Sequence, residues 1–230
     1  MTTPAVKRGT SDAKPSNNEN KIVQGVGDEG FKLPSPSGIN KWSRPLQALV
    51  VGIYFLVLGT ATRGVSGVLE AGLGPHGEHG TALPLVFGSV YALLGSTHFT
   101  VPEEFQNIMP PRGTWGIWYL PGSKAFHVAW TGVAEVVLGL GMAGGAALAA
   151  SNLADGGGRR LESVCAFGLF WLTVGVTPAN VFVLTHGTRI LSDSDPLPVA
   201  FHGLRLAAQS VLLELLYRIG EDTFQKSEKG

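Results

Sequence analysis

The sequence predicts an all-α membrane protein with five spanning helices, and three observations carry that prediction. The first is composition. Of 230 residues, 44% are hydrophobic and only 15% charged, with a mean hydropathy of +0.21. An ordinary soluble domain has about 25% charged residues. The second is the presence of five long apolar runs between residues 45 and 219. A bilayer core of about 30 Å is crossed by about 20 helical residues, with a range of about 17 to 25. The third is a constraint of the solvent: in lipid every backbone N–H and C=O must be bonded internally, which a helix does within one segment. As buried helices of a soluble core, five such runs would leave too little polar surface to cover them.

Taken in order, residues 1–44 are polar and rich in Ser, Asn, Lys, Gly and Pro, with "KLPSPSG" just before the first apolar run. They cannot bury enough surface to offset the entropy of ordering, so a disordered tail is expected. No apolar stretch of the kind a secretory signal needs lies near the start, and Asp12, Glu19, Asp28 and Glu29 argue against a transit peptide. The first span is "PLQALVVGIYFLVLGTA" (45–61), with room to continue to about Leu73; with its loop it occupies 45–80. The second is 82–99, the third runs from about Ser123 to Ala150, the fourth is 161–187 and the fifth 198–219. These four fall within 81–220, and a short polar tail is expected over 221–230. "GPHGEHG" and "DGGGRR" break the chain after the first and third spans. The longest connection, 100–122, carries Trp115, Trp118 and Tyr119, which suit the membrane interface.

Several function classes are excluded. Seventeen Lys/Arg balance seventeen Asp/Glu, and no basic stripe is interleaved with aromatics, so no nucleic-acid partner is expected. The single cysteine, Cys165, allows no internal disulfide, no CxxC redox pair and no Cys-rich zinc site. "LGLGMAGG" (138–145) is glycine-rich, but no strand precedes it, so it is not a nucleotide-binding loop. No Ser/His/Asp triad or P-loop stands out. Gly141 and Gly145 form a GxxxG, which reads as a close-packing face within the bundle.

Alternating span direction then places chemistry. The second span ends, the third begins, the fourth ends and the fifth begins on one membrane face, here called face A. His98, His127, His186 and His202 fall at those four helix ends, a candidate ligand face, while His76 and His79 lie on the opposite side. At 1.5 Å per residue, Glu135 is ~12 Å deeper than His127 and Asn180 ~9 Å deeper than His186. Arg205 and Gln209 are ~5 and ~10 Å deeper than His202. A lone charge at such depth costs several kcal/mol. Mutual satisfaction is therefore expected, with Glu135–Arg205 as the ion pair and Asn180 and Gln209 completing its hydrogen bonds. Pro178 removes a helical N–H, frees a Thr or Val carbonyl one turn earlier and is expected to kink the fourth span. The cluster reads either as a polar pocket for a quinone head group, a proton or a small ligand, or as an interhelical clamp that fixes register. For the histidines, haem or metal ligation competes with interface anchoring. No metal or resident cofactor is predicted, and quinone and haem are the classes such residues could hold.

The order of these features resembles the DoxX-like family of small membrane proteins over roughly residues 84–218. The resemblance rests on "HF" (98–99) closing a helix, a Pro-bearing connection ending in "IMPP", and "TGVAEVVLGLGM". It continues through "GGGRR", "VTPANVFV" and the final "HGLRLAAQSVLLELLYR". It implies a four-helix membrane bundle, to which this chain adds an N-terminal helix, with Glu135, Pro178, Asn180 and Arg205 at motif positions. It also implies a mixed range of roles: small subunits of membrane redox enzymes, relatives linked to disulfide formation, and membrane chaperones. The lone cysteine argues against direct disulfide exchange and makes Cys165 a packing residue. The expected function is a non-catalytic or accessory subunit of a membrane redox complex, in contact with the bilayer and with other membrane subunits. The alternatives are a quinone- or small-ligand-binding protein using the Glu135 cluster, or an assembly chaperone. Orientation is left open: seven Lys/Arg through Arg44 favour the tail inside, whereas the family pattern keeps "GGGRR" inside, on the other face.

Overall fold

The computed structural model describes residues 35–73, 80–151, 156–189 and 195–227; of Leu73 and residues 222–227 only the backbone is described. Among these residues six α-helices form: α1 (Arg44–Leu73), α2 (Ala82–Thr100), α3 (Pro102–Ile108), α4 (Lys124–Ser151), α5 (Gly157–His186) and α6 (Val199–Ser227). All but α3 are long and apolar enough to cross a membrane, so the chain is a multi-pass, all-α membrane bundle. In space the helices follow the order α2, α4, α5, α6, α1, each packed on the next.

Two boundaries differ from those the sequence suggested, and a third takes its longer option. α1 takes up the whole extension to Leu73. α6 continues to Ser227, through most of the expected polar tail, because nothing between Gly220 and Ser227 breaks a helix except Gly220 itself. Residues 35–43 are not part of a free tail. They form a 3-10 turn (Ile39–Lys41), with Ser35 buried and the Ser37 hydroxyl donating to the Thr185 carbonyl at 3.5 Å. Gly187, at φ 64, ends α5 in the left-handed conformation, and a Cβ there would meet Pro36 Cδ at 2.8 Å. The expectation of disorder for residues 1–34, and the placement of His76 and His79, lie outside the described residues.

Glycine sets how closely the helices meet. A Cβ at Gly88 would lie 2.6 Å from the Gly139 carbonyl, and one at Gly139 2.6 Å from that of Gly88. Seven residues along each helix, Gly95 and Gly132 make the second contact of α2 with α4. The opposite side of α4 carries the GxxxG. Gly141 abuts the Cys165 sulfur, and a Cβ on Gly145 would lie 2.5 Å from the Glu162 backbone nitrogen. Small residues thus bring α4 against both α2 and α5, where backbone proximity replaces the hydrophobic driving force that lipid cannot supply. Cys165 is buried in this seam as a packing residue.

The buried apolar side chains form two clusters. One gathers Tyr91, Met142, Leu169, Leu172, Leu216 and Ile219; the other, toward face A, gathers Val51, Tyr54, Trp115, Val181 and Phe182. α1 is tied to α6 by polar groups as well. Arg218 Nε donates to Glu214 at 3.1 Å, and its Nη2 donates to the Ser66 carbonyl at 2.7 Å. Glu214 is therefore one member of a buried pair.

Candidate functional site

The polar residues singled out from the sequence at mid-span depth fall into two groups. The first joins α2 to α4. Gly95 and Gly132 let these helices approach until His98 lies over Glu135, with His98 Nε2 3.4 Å from Glu135 Oε2. The other ring nitrogen, Nδ1, donates to the Val128 carbonyl at 2.9 Å, and Phe105 of α3 stacks on the ring at a centroid distance of 3.8 Å. His98 is thereby held in one orientation, with Nε2 turned to the carboxyl group.

The second group joins α6 to α5. Arg205 Nη2 donates to Asn180 Oδ1, and Asn180 Nδ2 donates to Gln209 Oε1 at 3.0 Å. Gln209 Nε2 then donates to Thr177 Oγ1 at 2.7 Å, and Thr177 donates to the Thr173 carbonyl at 2.9 Å. The direction of this chain is forced. A guanidinium has donors only, so Asn180 must present its oxygen to Arg205 and its amide nitrogen to Gln209, and the same logic passes to Thr177. Successive donors aligned in one sense polarise one another in a low-dielectric interior. Through its hydroxyl, Thr173 also meets Tyr91 of α2 at 2.7 Å. Tyr91 is within electrostatic range of Glu135, and Tyr54 of α1 is within range of Arg205.

Of the four residues expected to meet, Asn180, Arg205 and Gln209 do; Glu135 does not join them. The expected Glu135–Arg205 ion pair is replaced by Glu135–His98 and Arg205–Asn180. The reason is geometric: similar depth on two helices says nothing about which side of each helix faces the other, and α4 turns Glu135 toward α2 rather than toward α6. Arg205 is consequently a cation with no carboxylate partner among the described residues, and its Nη1 is buried without a hydrogen-bond partner there. Thr177 and Tyr91 were not singled out from sequence; Thr177 lies three residues before Asn180 on the same face of α5, which periodicity could have shown. Pro178 sits inside α5, which stays one helix through it.

The four histidines at face A do not converge. His98 belongs to Glu135. His127 is a fastener: its Nε2 donates to the Pro121 carbonyl at 2.6 Å and its Nδ1 accepts from Trp130 Nε1 at 3.0 Å. His186 bonds Thr185 Oγ1 at 2.8 Å and packs against Phe182. His202 bonds the Leu197 backbone. Among the described residues, no group of three or more His, Cys, Asp or Glu is arranged to hold a metal ion. The connection between α2 and α4 turns part of its aromatic set into the end of the bundle. Of Trp115, Trp118 and Tyr119 only Tyr119 is exposed, alongside Ile117 and Leu120; Trp115 is 2% exposed and donates from Nε1 to Thr185 Oγ1 at 3.0 Å, with Trp118 and Phe182 edge-on to its ring.

The His98–Glu135 contact sets a first expected result. Glu135→Gln can turn its amide N–H to His98 Nε2, which is free to accept while Nδ1 donates to Val128, and should leave the folded state within about 1 kcal/mol of the parent. Glu135→Leu strands the buried ring nitrogen and should lose about 1–3 kcal/mol. Thermal melting of both variants in the same detergent measures the difference.

No protein-family model, curated protein or solved structure matches the chain.

Proposed function

We propose that this multi-pass membrane protein is a DoxX-like, non-catalytic subunit that holds a quinone head group at the Arg205 network on behalf of a membrane redox partner. The observation that carries the reading is the Arg205 guanidinium: one nitrogen is committed to Asn180, while Nη1 is buried and unpaired among the described residues. A clamp would be expected to satisfy its own donors, since a buried unsatisfied group costs about 1–3 kcal/mol and a charged one more. A quinone carbonyl is an acceptor without a proton, carried by a molecule that partitions into the bilayer, and it matches a lone buried donor at this depth. The Asn180–Gln209–Thr177 chain holds the guanidinium in place, so the head group would meet a preorganised donor.

The test is binding of a short-chain ubiquinone analogue to the purified full-length protein, followed by quenching of tryptophan fluorescence. Saturable binding is expected. Arg205→Gln should weaken it about ten- to a hundredfold, the equivalent of about 1.5–3 kcal/mol for a charge-assisted hydrogen bond, without a matching fall in melting temperature. Absence of saturable binding by the parent protein, or equal affinity in Arg205→Gln, would return the network to a purely structural role. The accessory role is tested separately by mild-detergent purification from native membranes, where an oxidoreductase should co-migrate.

A further inference from the structure

A groove of about 590 Å³ opens between α1, α5 and α6 and shares no residue with the Arg205 network. Its volume falls in the range of about 300–1,000 Å³ typical of small-molecule sites. One end is apolar, walled by Leu58, Phe170 and Val174, with Gly59 facing open space where any larger residue would fill the channel. The other end is polar, with Arg63 and Tyr217 at its rim.

The topology fixes how that polarity sits in the bilayer. α1 and α6 both start at face A and run parallel, and Arg63 and Arg218 each lie nineteen residues past the first residue of their helix. Both are therefore ~28 Å from face A, about the thickness of a hydrocarbon core, at the opposite interface. Leu58, Gly59 and Phe170 lie toward the middle of the bilayer. The groove is thus graded along the membrane normal, from acyl-chain depth to head-group depth.

Two guanidinium groups, Arg63 and Arg218, and two carboxylates, Glu214 and Glu221, stand at this end, with Glu221 hydrogen-bonded to Tyr217, and they are not equivalent. Glu214 and Arg218 neutralise one another at 3.1 Å, and Arg218 also caps the Ser66 carbonyl. Arg63 is exposed and makes no hydrogen bond or ion pair among the described residues. A guanidinium matches the geometry of a phosphate bidentately. Basic pockets between spanning helices recruit acidic lipid head groups.

We propose that this groove is a binding site for an anionic phospholipid, whose phosphate pairs with Arg63 and whose acyl chain lies along Gly59 toward Phe170 and Val174. The lipid would fill the open flank between α1 and α6 and splint the first helix to the bundle.

The experiment compares full-length protein in nanodiscs of phosphatidylglycerol and of phosphatidylcholine, and measures lipid retained after delipidation by native mass spectrometry. The parent protein should retain one phosphatidylglycerol with roughly five-fold preference over phosphatidylcholine, the ratio corresponding to about 1 kcal/mol for one cation at the surface. Arg63→Gln should abolish the preference while still retaining lipid of either kind. Gly59→Leu should abolish retention of both; where that variant does not fold, Arg63→Gln alone decides. Equal retention of the two lipids by the parent, a preference that survives Arg63→Gln, or a quinone or second copy of the chain found in place of lipid would overturn the assignment.

Discussion

Gly145→Ala should destabilise the protein by about 1–3 kcal/mol, and Gly145→Val should give little or no folded material. The sign is informative because alanine is the better helix former, by about 1 kcal/mol in a helix interior. At Gly145 that gain is overridden: the new Cβ would lie 2.5 Å from the Glu162 nitrogen and 2.7 Å from the Gly158 carbonyl, both backbone atoms that no rotamer change can move aside. The whole of α5 must retreat. Gly144, one residue away, has nothing within 4 Å of its Cβ position, so Gly144→Ala should be neutral or slightly stabilising. The chain supplies its own reporter. Cys165 is the only cysteine and is buried against Gly141 in the same seam. Maleimide labelling of Cys165 should be slow in the parent and in Gly144→Ala, and fast in Gly145→Ala. Equal labelling rates would mean that the α4–α5 seam is looser than its glycines imply.

Trp115→Ala should cost about 3–5 kcal/mol, the range for truncating a large aromatic in a core. Trp115 is 2% exposed, packs against Phe182 and His186, and donates to Thr185, so its loss opens a cavity and removes a hydrogen bond at once. It also stands at φ 55, the left-handed region that a side chain adopts reluctantly. Trp115→Gly should therefore be less damaging than Trp115→Ala by about 1 kcal/mol, since glycine meets no Cβ penalty there. Thermal melting monitored by near-ultraviolet circular dichroism ranks the three proteins. An alanine variant at least as stable as the glycine variant would show that the turn relaxes to negative φ once the ring is gone.

What could be read from sequence follows the physics of each signal. Spans were legible because hydropathy over about 20 residues integrates many side chains and the bilayer imposes the length. The GxxxG was legible because small residues at i and i+4 share a helix face. Asn180, Arg205 and Gln209 were legible together because they lie at similar depth on two helices that turn out to be neighbours. The partner of Glu135 is not legible in the same way, because depth is a one-dimensional quantity. That partner depends on the rotation of α4, and that rotation is set by glycines at 132 and 139 meeting those at 95 and 88. The same evidence existed in the sequence as two pairs of glycines spaced by seven, but pairing them requires knowing that α2 and α4 are in contact. Trp115 misled for a related reason: an aromatic loop residue suits the interface, yet here glycines at 113 and 116, both at positive φ, turn the backbone so that the ring enters the bundle end.

The order of helices in space has a consequence for biosynthesis. α1 is made first but packs mainly on α6, made last, and the Arg218–Ser66 bond that ties them spans 152 residues of sequence. At translation rates of about 5–20 residues per second, α1 waits roughly 8–30 s for that partner. During that interval the Ser66 carbonyl lacks the Arg218 guanidinium that later caps it. A chain that stops before α6 therefore leaves α1 without its main packing partner.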